Sequence, residues 1–117
     1  MAIQQEVGDK GEQIAANYLL KLGYIILCKN FRAKKSEIDI ICKEGNTIVF
    51  VEVKTRSSIK FGHPEEFVDT AKSAKIIEGA ESYMRENNWD GAIRFDIISI
   101  LIKNEKIEIK QFKDAFY

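Results

Sequence analysis

Hydrophobic residues recur at helical spacing in two segments of the chain and at strand spacing in five others. The first helical segment covers residues 7–22 and is followed by Gly23, a residue typical of helix C-caps. The second covers residues 68–84 and is ended by residues 87–88, both Asn. Runs rich in β-branched and aromatic residues predict strands over residues 24–30, 37–43, 47–55, 93–102 and 106–112.

The third predicted strand, residues 47–55, is nearly continuous in apolar residues. Strands of this kind are covered by other elements on both faces. We therefore predict an α/β fold in which helices cover both sides of the sheet. The basic segment over residues 31–36 is predicted to be a loop between the first two strands.

The second and third strands form a predicted hairpin around residues 45–46, Gly-Asn. Pairing that is symmetric about this turn sets Asp39 opposite Glu52 and Glu37 opposite Lys54. Alternate residues of one strand share a face, so Glu52 and Lys54 point to the same side. The pattern therefore places two carboxylates and an ammonium together on an otherwise apolar face.

Two carboxylates in directly opposed strand positions repel each other. At about 5 Å and an effective dielectric constant of about 20, the repulsion is roughly 3 kcal/mol. A cross-strand pair usually contributes less than about 1 kcal/mol, so this repulsion must be offset. Lys54, a raised pKa on one carboxyl group, or a divalent cation between the two could offset it.

A third carboxylate belongs to the first helix. Glu12 lies three residues before Ala15 and seven before Leu19, on the flank of the buried stripe. It can reach a cluster beneath the helix, or it can be an ordinary acid near a helix N-terminus.

Composition narrows the class of protein. The 117 residues carry eighteen Lys and Arg against eighteen Asp and Glu, so bulk positive potential cannot drive nucleic-acid binding. The length is that of one domain, residues 1–117. No apolar run approaches the roughly twenty residues of a membrane span. We expect a cytoplasmic protein whose two cysteines, Cys28 and Cys42, are reduced and buried.

Asp39 followed by Glu52-Val53-Lys54 on the next strand, after a helix with Glu12, resembles the PD-(D/E)XK nuclease superfamily. The chain is similar, more narrowly, to the YraN-like family, which is itself similar to archaeal Holliday junction resolvases. The strings that carry this resemblance are Gly11-Glu12, Tyr18-Leu19, Glu37-Ile38-Asp39, Phe50-Val51-Glu52-Val53-Lys54-Thr55-Arg56, Phe61-Gly62 and Arg94-Phe95-Asp96. Ile38 and Ser36 stand where related sequences often carry proline and glycine.

The resemblance implies a restriction-endonuclease-like αβββαβ core with a mixed sheet, and a metal-dependent endonuclease. Mg²⁺ or Mn²⁺ would be held by Asp39, Glu52 and the backbone carbonyl of Val53. Lys54 would act on the attacking water and on the charge of the transition state. Glu12 would hold a metal water or a second ion.

A phosphodiester substrate also requires positive charge around the acids. Glu37, paired with Lys54, would orient the side chains of the site without contacting the metal itself. The basic residues near the site along the chain are Arg32, Lys34, Lys35, Arg56, Lys72 and Lys75. His63 is expected to be a loop residue, and Arg94 with Asp96 a structural ion pair.

The partner implied by these features is DNA, with branched DNA as a candidate and no membrane. Resolving a junction takes two symmetric cuts, which makes a homodimer a candidate as well. The apolar residues considered for its interface are Phe61, Trp89 and Phe116. Two other functions stay open: a non-catalytic nucleic-acid-binding module that retains the nuclease fold, and an interaction protein whose acidic cluster is structural.

Overall fold

The computed structural model describes residues 2–57 and 70–116, and in residues 2–8 and 70 it describes the backbone only. In this part of the chain, two helices and five strands follow one another in the predicted order. In chain order they are α1 (Ala2–Lys21), β1 (Ile25–Ala33), β2 (Ser36–Glu44), β3 (Thr47–Arg56), α2 (Thr70–Glu86), β4 (Ala92–Lys103) and β5 (Lys106–Phe112). None of the helices in these ranges is long and apolar enough to cross a membrane.

The five strands form one mixed sheet in the order β1-β2-β3-β4-β5. All neighbours are antiparallel except β3 and β4, which are parallel and are connected through the segment that contains α2. This architecture is a restriction-endonuclease-like core, as the resemblance implies. The site residues of β3 therefore lie on a strand with a neighbour on each side.

A helix covers each face of the sheet, as the apolar third strand predicts. The α1-side core packs Ala15 and Leu19 of α1 against β-strand residues that include Val49 and Val51. The α2-side core packs Ile76, Ala80 and Tyr83 against the other face. Its strand residues include Ile41, Ile48, Phe50 and Phe95.

The prediction of a loop over residues 31–36 was wrong. Strand β1 continues to Ala33, and only Lys34 and Lys35 form the turn before β2. Phe31 pairs with Ile38 and Arg32 with Glu37 in the β1–β2 ladder. The backbone groups of this basic segment pair with β2 and thereby form hydrogen bonds. The composition of the segment alone does not predict this pairing.

The packing places the residues named for a dimer interface and corrects one cysteine. Trp89 and Phe116 are half-buried and pack against the α2-side core, and Phe61 lies outside the described residues. Cys42 is buried as expected, whereas Cys28 is only half-buried, and both thiols are free. His63 also lies outside the described residues.

Candidate active site

The predicted hairpin register is present near the turn and ends where the acidic residues begin. The β2–β3 ladder runs from Glu44 opposite Thr47 to Ile40 opposite Val51. Beyond the ladder, the backbone N–H of Val53, two residues after Val51, donates to Oδ2 of Asp39 at 2.7 Å. A side chain thus replaces the backbone acceptor at this point of the hairpin, and the carboxyl group of Asp39 is held between the two strands.

Asp39 and Glu52 are in hydrogen-bond contact. Burial and, next, the adjacent Glu52 raise the pKa of Asp39 to about 8, against the opposing effect of the N–H of Val53. Glu52 is only 7% exposed. Of the three ways to offset the carboxylate repulsion, the metal-free protein uses a raised pKa, that of Asp39.

Two lysines from different elements meet at the acidic pair. The Nζ of Lys72, on α2, lies 3.3 Å from Oε1 of Glu52. Burial, followed by the neighbouring Lys72, lowers the pKa of Lys54. Burial acts to lower the pKa of Lys72, but its hydrogen bond with Lys54 and the attraction of Glu52 outweigh that effect and raise it. Lys54 therefore loses its proton more readily than Lys72, which stays positively charged.

The helix glutamate also reaches the cluster. Gly11 is buried where α1 crosses β3, and a Cβ atom at this position would overlap the side chain of Thr55. This close approach brings the next residue, Glu12, over the sheet. Burial raises the pKa of Glu12, whose carboxyl group bonds to Asn30 and is close enough to add to the raised pKa of Asp39.

Asn30 is a site residue that the sequence reasoning missed. Its φ of 54° is left-handed, and it would pair with Asp39 in the β1–β2 register, but the ladder passes from Lys29–Ile40 directly to Phe31–Ile38. On β2, Ile40 belongs to the α1-side core whereas Ile38 belongs to the α2-side core. The strand therefore changes face at Asp39. Asn adopts the left-handed region more often than most residues, and this preference is the one local signal for the position.

Glu37 does not pair with Lys54, which corrects the prediction from symmetric register. Its Oε2 lies 3.1 Å from Nε of Arg32, its neighbour in the β1–β2 ladder. The β2–β3 ladder ends at Ile40, so Glu37 has no partner position on β3. Arg32 is 78% exposed, and an ion pair of this kind contributes less than about 1 kcal/mol.

A cavity of about 450 Å³ contains the acidic pair. It is lined by Lys35, Glu37, Asp39, Glu52, Ala71, Lys72, Lys75 and Ile76. Three of the predicted basic residues therefore face the carboxylates. Lys34 is exposed in the adjacent turn, and Arg56 lies at the end of β3 and makes contacts of its own.

The position of α2 over this cavity depends on two small residues. The hydroxyl of Ser36 donates to the carbonyl of Lys75 at 2.6 Å. A Cβ atom added at Gly79 would lie 3.1 Å from Cβ of Ser36 and 3.2 Å from Cδ1 of Ile38. Ser36, which departs from the pattern of related sequences, thus ties the start of β2 to the helix that carries Lys72 and Lys75.

Residues 11–100 match the family model described as Uncharacterised protein family UPF0102. The chain belongs to this family. A UPF0102 protein of Caldicellulosiruptor saccharolyticus is 45% identical over 116 residues, which cover 97% of this chain and 98% of the relative. A UPF0102 protein of Flavobacterium psychrophilum is 44% identical over 117 residues, 100% of this chain and 98% of the relative. A third, from Clostridioides difficile, is 50% identical over 104 residues.

UPF0102 is the YraN-like family with the nuclease fold, so the family expected from the motifs is confirmed. The region that matches the family model includes the five residues of the acidic cluster and its lysines: Glu12, Asp39, Glu52, Lys54 and Lys72. Within residues 2–57 and 70–116, no three Asp, Glu, His or Cys side chains form a group that could hold a metal ion. The donor set at Asp39 and Glu52 is nevertheless all oxygen, which suits an ion such as Mg²⁺ that keeps most of its waters.

A second charged cluster in this UPF0102 chain is structural. Asp96 is fully buried and accepts from Nε of Arg94 at 2.8 Å and from Nη2 at 2.9 Å. Gln111 and the backbone N–H of Asp114 donate to the same carboxylate at 2.9 and 3.0 Å. Every buried polar side-chain atom in the described part of the chain has a hydrogen-bond partner. The buried polar atoms of this cluster are therefore all paired within the protein, and it is the structural ion pair that the sequence predicts.

Proposed function

We propose that this protein is a metal-dependent endonuclease that hydrolyses phosphodiester bonds of DNA in the cytoplasm, with branched DNA as its substrate. The observation that carries the proposal is the contact between the half-buried carboxyl group of Asp39 and the buried one of Glu52, beside an amine, Lys54, whose pKa is lowered. Perturbed acids and bases that converge in one cavity are typical of active sites.

Asp39, Glu52 and the carbonyl of Val53 are the groups that would hold Mg²⁺ or Mn²⁺. When bound, the ion would polarise the phosphate and lower the pKa of a water molecule. A bound cation would favour the charged form of Asp39, since its pKa of about 8 reflects burial and the charge of Glu52 without a cation. The N–H of Val53 keeps Oδ2 of Asp39 oriented.

Lys54 is the residue that we assign to the attacking water. Burial favours its neutral amine, which can accept a proton from the water as the new phosphorus–oxygen bond forms and the bond to the leaving ester oxygen breaks. The resulting ammonium then stabilises the charge of the transition state. Glu12, with Asn30 as its partner, would position a water on the α1 side.

The lysines of the cavity are assigned to the DNA backbone. Lys35 and Lys75 line the same cavity as the acidic pair, and Lys34 is exposed at its edge. Lysine binds phosphate as a point charge, so these contacts position DNA without reading its sequence. Arg32 and Arg56 would extend this surface along β1 and β3.

The test is incubation of the purified chain with labelled linear, nicked and four-way-junction DNA, with Mg²⁺, Mn²⁺ or EDTA. We expect metal-dependent cleavage that is strongest on the junction, and none with Asp39→Asn. Binding of DNA without cleavage in any metal would support the non-catalytic module instead. Absence of both DNA binding and metal binding would support a structural acidic cluster.

A further inference from the structure

We propose that the Lys72 ammonium takes the place of the metal at Glu52 in the metal-free protein and leaves Glu52 when a divalent cation binds, so that metal loading frees Lys72 for substrate phosphate. The inference rests on the proposed function, because it concerns the same carboxylate pair. It assigns to Lys72 a role that the other lysines of the cavity do not share.

The two side chains of this ion pair differ in their exposure to solvent. The side chain of Glu52 is 7% exposed, whereas that of Lys72 is 42% exposed, and Nζ lies 3.3 Å from Oε1. A carboxylate removed from water needs a positive partner or a proton. Lys72 reaches it from the solvent side on a flexible stem, so it can withdraw into water while Glu52 cannot.

A metal ion and the ammonium would compete for the same acceptor. Both are cations that need the lone pairs of Glu52, and they repel each other across the few ångströms of one carboxylate. Coupling between two ligands is reciprocal, so removal of the ammonium must strengthen metal binding. Lys72 lines the cavity with Lys35 and Lys75, where a displaced ammonium remains within reach of a bound phosphate.

Lys75 provides a matched control. It lies one turn further along α2 and lines the same cavity. Its backbone carbonyl accepts a hydrogen bond from the hydroxyl of Ser36, and this bond does not involve its ammonium. Removing its charge changes the general field of the cavity by one unit, as Lys72→Met does. The two variants differ in the contacts of the ammonium that is removed, since that of Lys72 contacts Glu52 and Lys54 directly.

The experiment is calorimetric titration of Mn²⁺ into the full chain without DNA. We expect Lys72→Met and Lys72→Gln to bind Mn²⁺ about three- to tenfold more tightly than wild type, and Lys75→Met to stay within about twofold. The rise in Tm caused by saturating Mn²⁺ should be larger in the Lys72 variants. Tm in EDTA confirms that each variant is folded.

The outcomes separate this inference from the proposed function. Mn²⁺ binding to Lys72→Met that is equal to or weaker than wild type overturns the exchange and makes the ion pair a permanent structural one. Equal tightening by Lys75→Met also overturns it, because the effect is then general electrostatics. If neither wild type nor any variant binds Mn²⁺, both proposals are overturned. If the Lys72 variants bind Mn²⁺ more tightly but wild type cleaves no DNA, the exchange of Lys72 for the metal is supported and the nuclease activity is rejected.

Discussion

Val53 donates its backbone N–H to Oδ2 of Asp39 at 2.7 Å, just beyond Ile40 and Val51, the last paired residues of β2 and β3. A backbone donor of an inner strand is thereby satisfied by an acidic side chain, so Asp39 has a structural as well as a chemical role. This double role determines which substitutions are informative. Asn keeps an oxygen acceptor for Val53 and removes the charge, whereas Ala removes both.

The first prediction concerns the stability of the metal-free protein as a function of pH. The pKa of Asp39 is about 8 in the folded protein and about 4 in an unfolded chain. A raised folded pKa gives stability that is complete below pH 4 and is lost as the pH rises through about 8. In EDTA we therefore expect Asp39→Asn to lose less stability than wild type between pH 5 and pH 8.

The size of this difference is a few kcal/mol, since each pKa unit corresponds to about 1.4 kcal/mol. Urea unfolding at several pH values measures it. Glu37→Gln is the control, because Glu37 is on the same strand and is more exposed. Parallel pH profiles for wild type and Asp39→Asn would contradict the raised pKa of Asp39.

The second prediction concerns divalent-ion binding. Glu52→Gln and Asp39→Asn should each abolish the binding of Mn²⁺ in calorimetry, because two carboxylates are the charged part of the ligand set. Their Tm in EDTA should equal that of wild type near neutral pH, where Asp39 is already protonated, and exceed it above about pH 8, where Asp39 is charged beside Glu52. A large fall of Tm in EDTA for both would indicate that the pair is structural.

The third prediction distinguishes an enzyme from a binding module. If Lys54 accepts the proton of the attacking water, Lys54→Ala should lower the cleavage rate by on the order of 100-fold or more. DNA and metal affinity should change far less, because the interaction is made in the transition state. Single-turnover cleavage and equilibrium binding on one junction substrate separate these quantities.

Lys54→Arg is the companion variant. A guanidinium stays protonated and has a different shape, so it should restore stability but not rate. The wild-type rate should also fall as the pH is lowered and Lys54 becomes protonated. Full cleavage by Lys54→Ala with weakened DNA binding would reduce Lys54 to a phosphate contact.

The fourth prediction concerns the salt dependence of DNA binding. Lys34→Ala, Lys35→Ala and Lys75→Ala should each weaken binding without changing sequence preference, and each should reduce the slope of log K against log salt by about 1. Fluorescence anisotropy at several salt concentrations gives both values. Lys21→Ala, in the last turn of α1, is the control. An affinity that does not change with salt would rule out this surface.

The fifth prediction concerns the left-handed residue opposite Asp39. Asn30→Ala places a Cβ-bearing residue without a polar group at φ 54°, whereas Asn30→Gly accepts this φ and removes the same amide. We expect the Ala variant to be less stable than the Gly variant by on the order of 1 kcal/mol. Both lose the bond to Glu12, so they should match in metal affinity. Equal stability in urea unfolding would show that the backbone is not constrained there.

Much of the fold could be predicted because its signals are local. The spacing of apolar residues in α1 and α2 and the Gly45-Asn46 turn are set within a few residues. A tight turn also determines the register of the strands that it joins, so the approach of Asp39 to Glu52 follows from counting outward. The counting stops being valid at Ile40, where the ladder ends.

The sequence by itself therefore determined the helices, most of each strand, the family and the acidic pair of this protein. Tertiary structure decided the partners of Glu37 and Glu52, the length of β1 and the change of face at Asp39. These features depend on contacts between residues far apart in the chain, such as Ser36 with α2 and Gly11 with β3. Side-chain periodicity records which face of its own element a residue occupies, but the element that will lie against that face is selected only when the whole core packs.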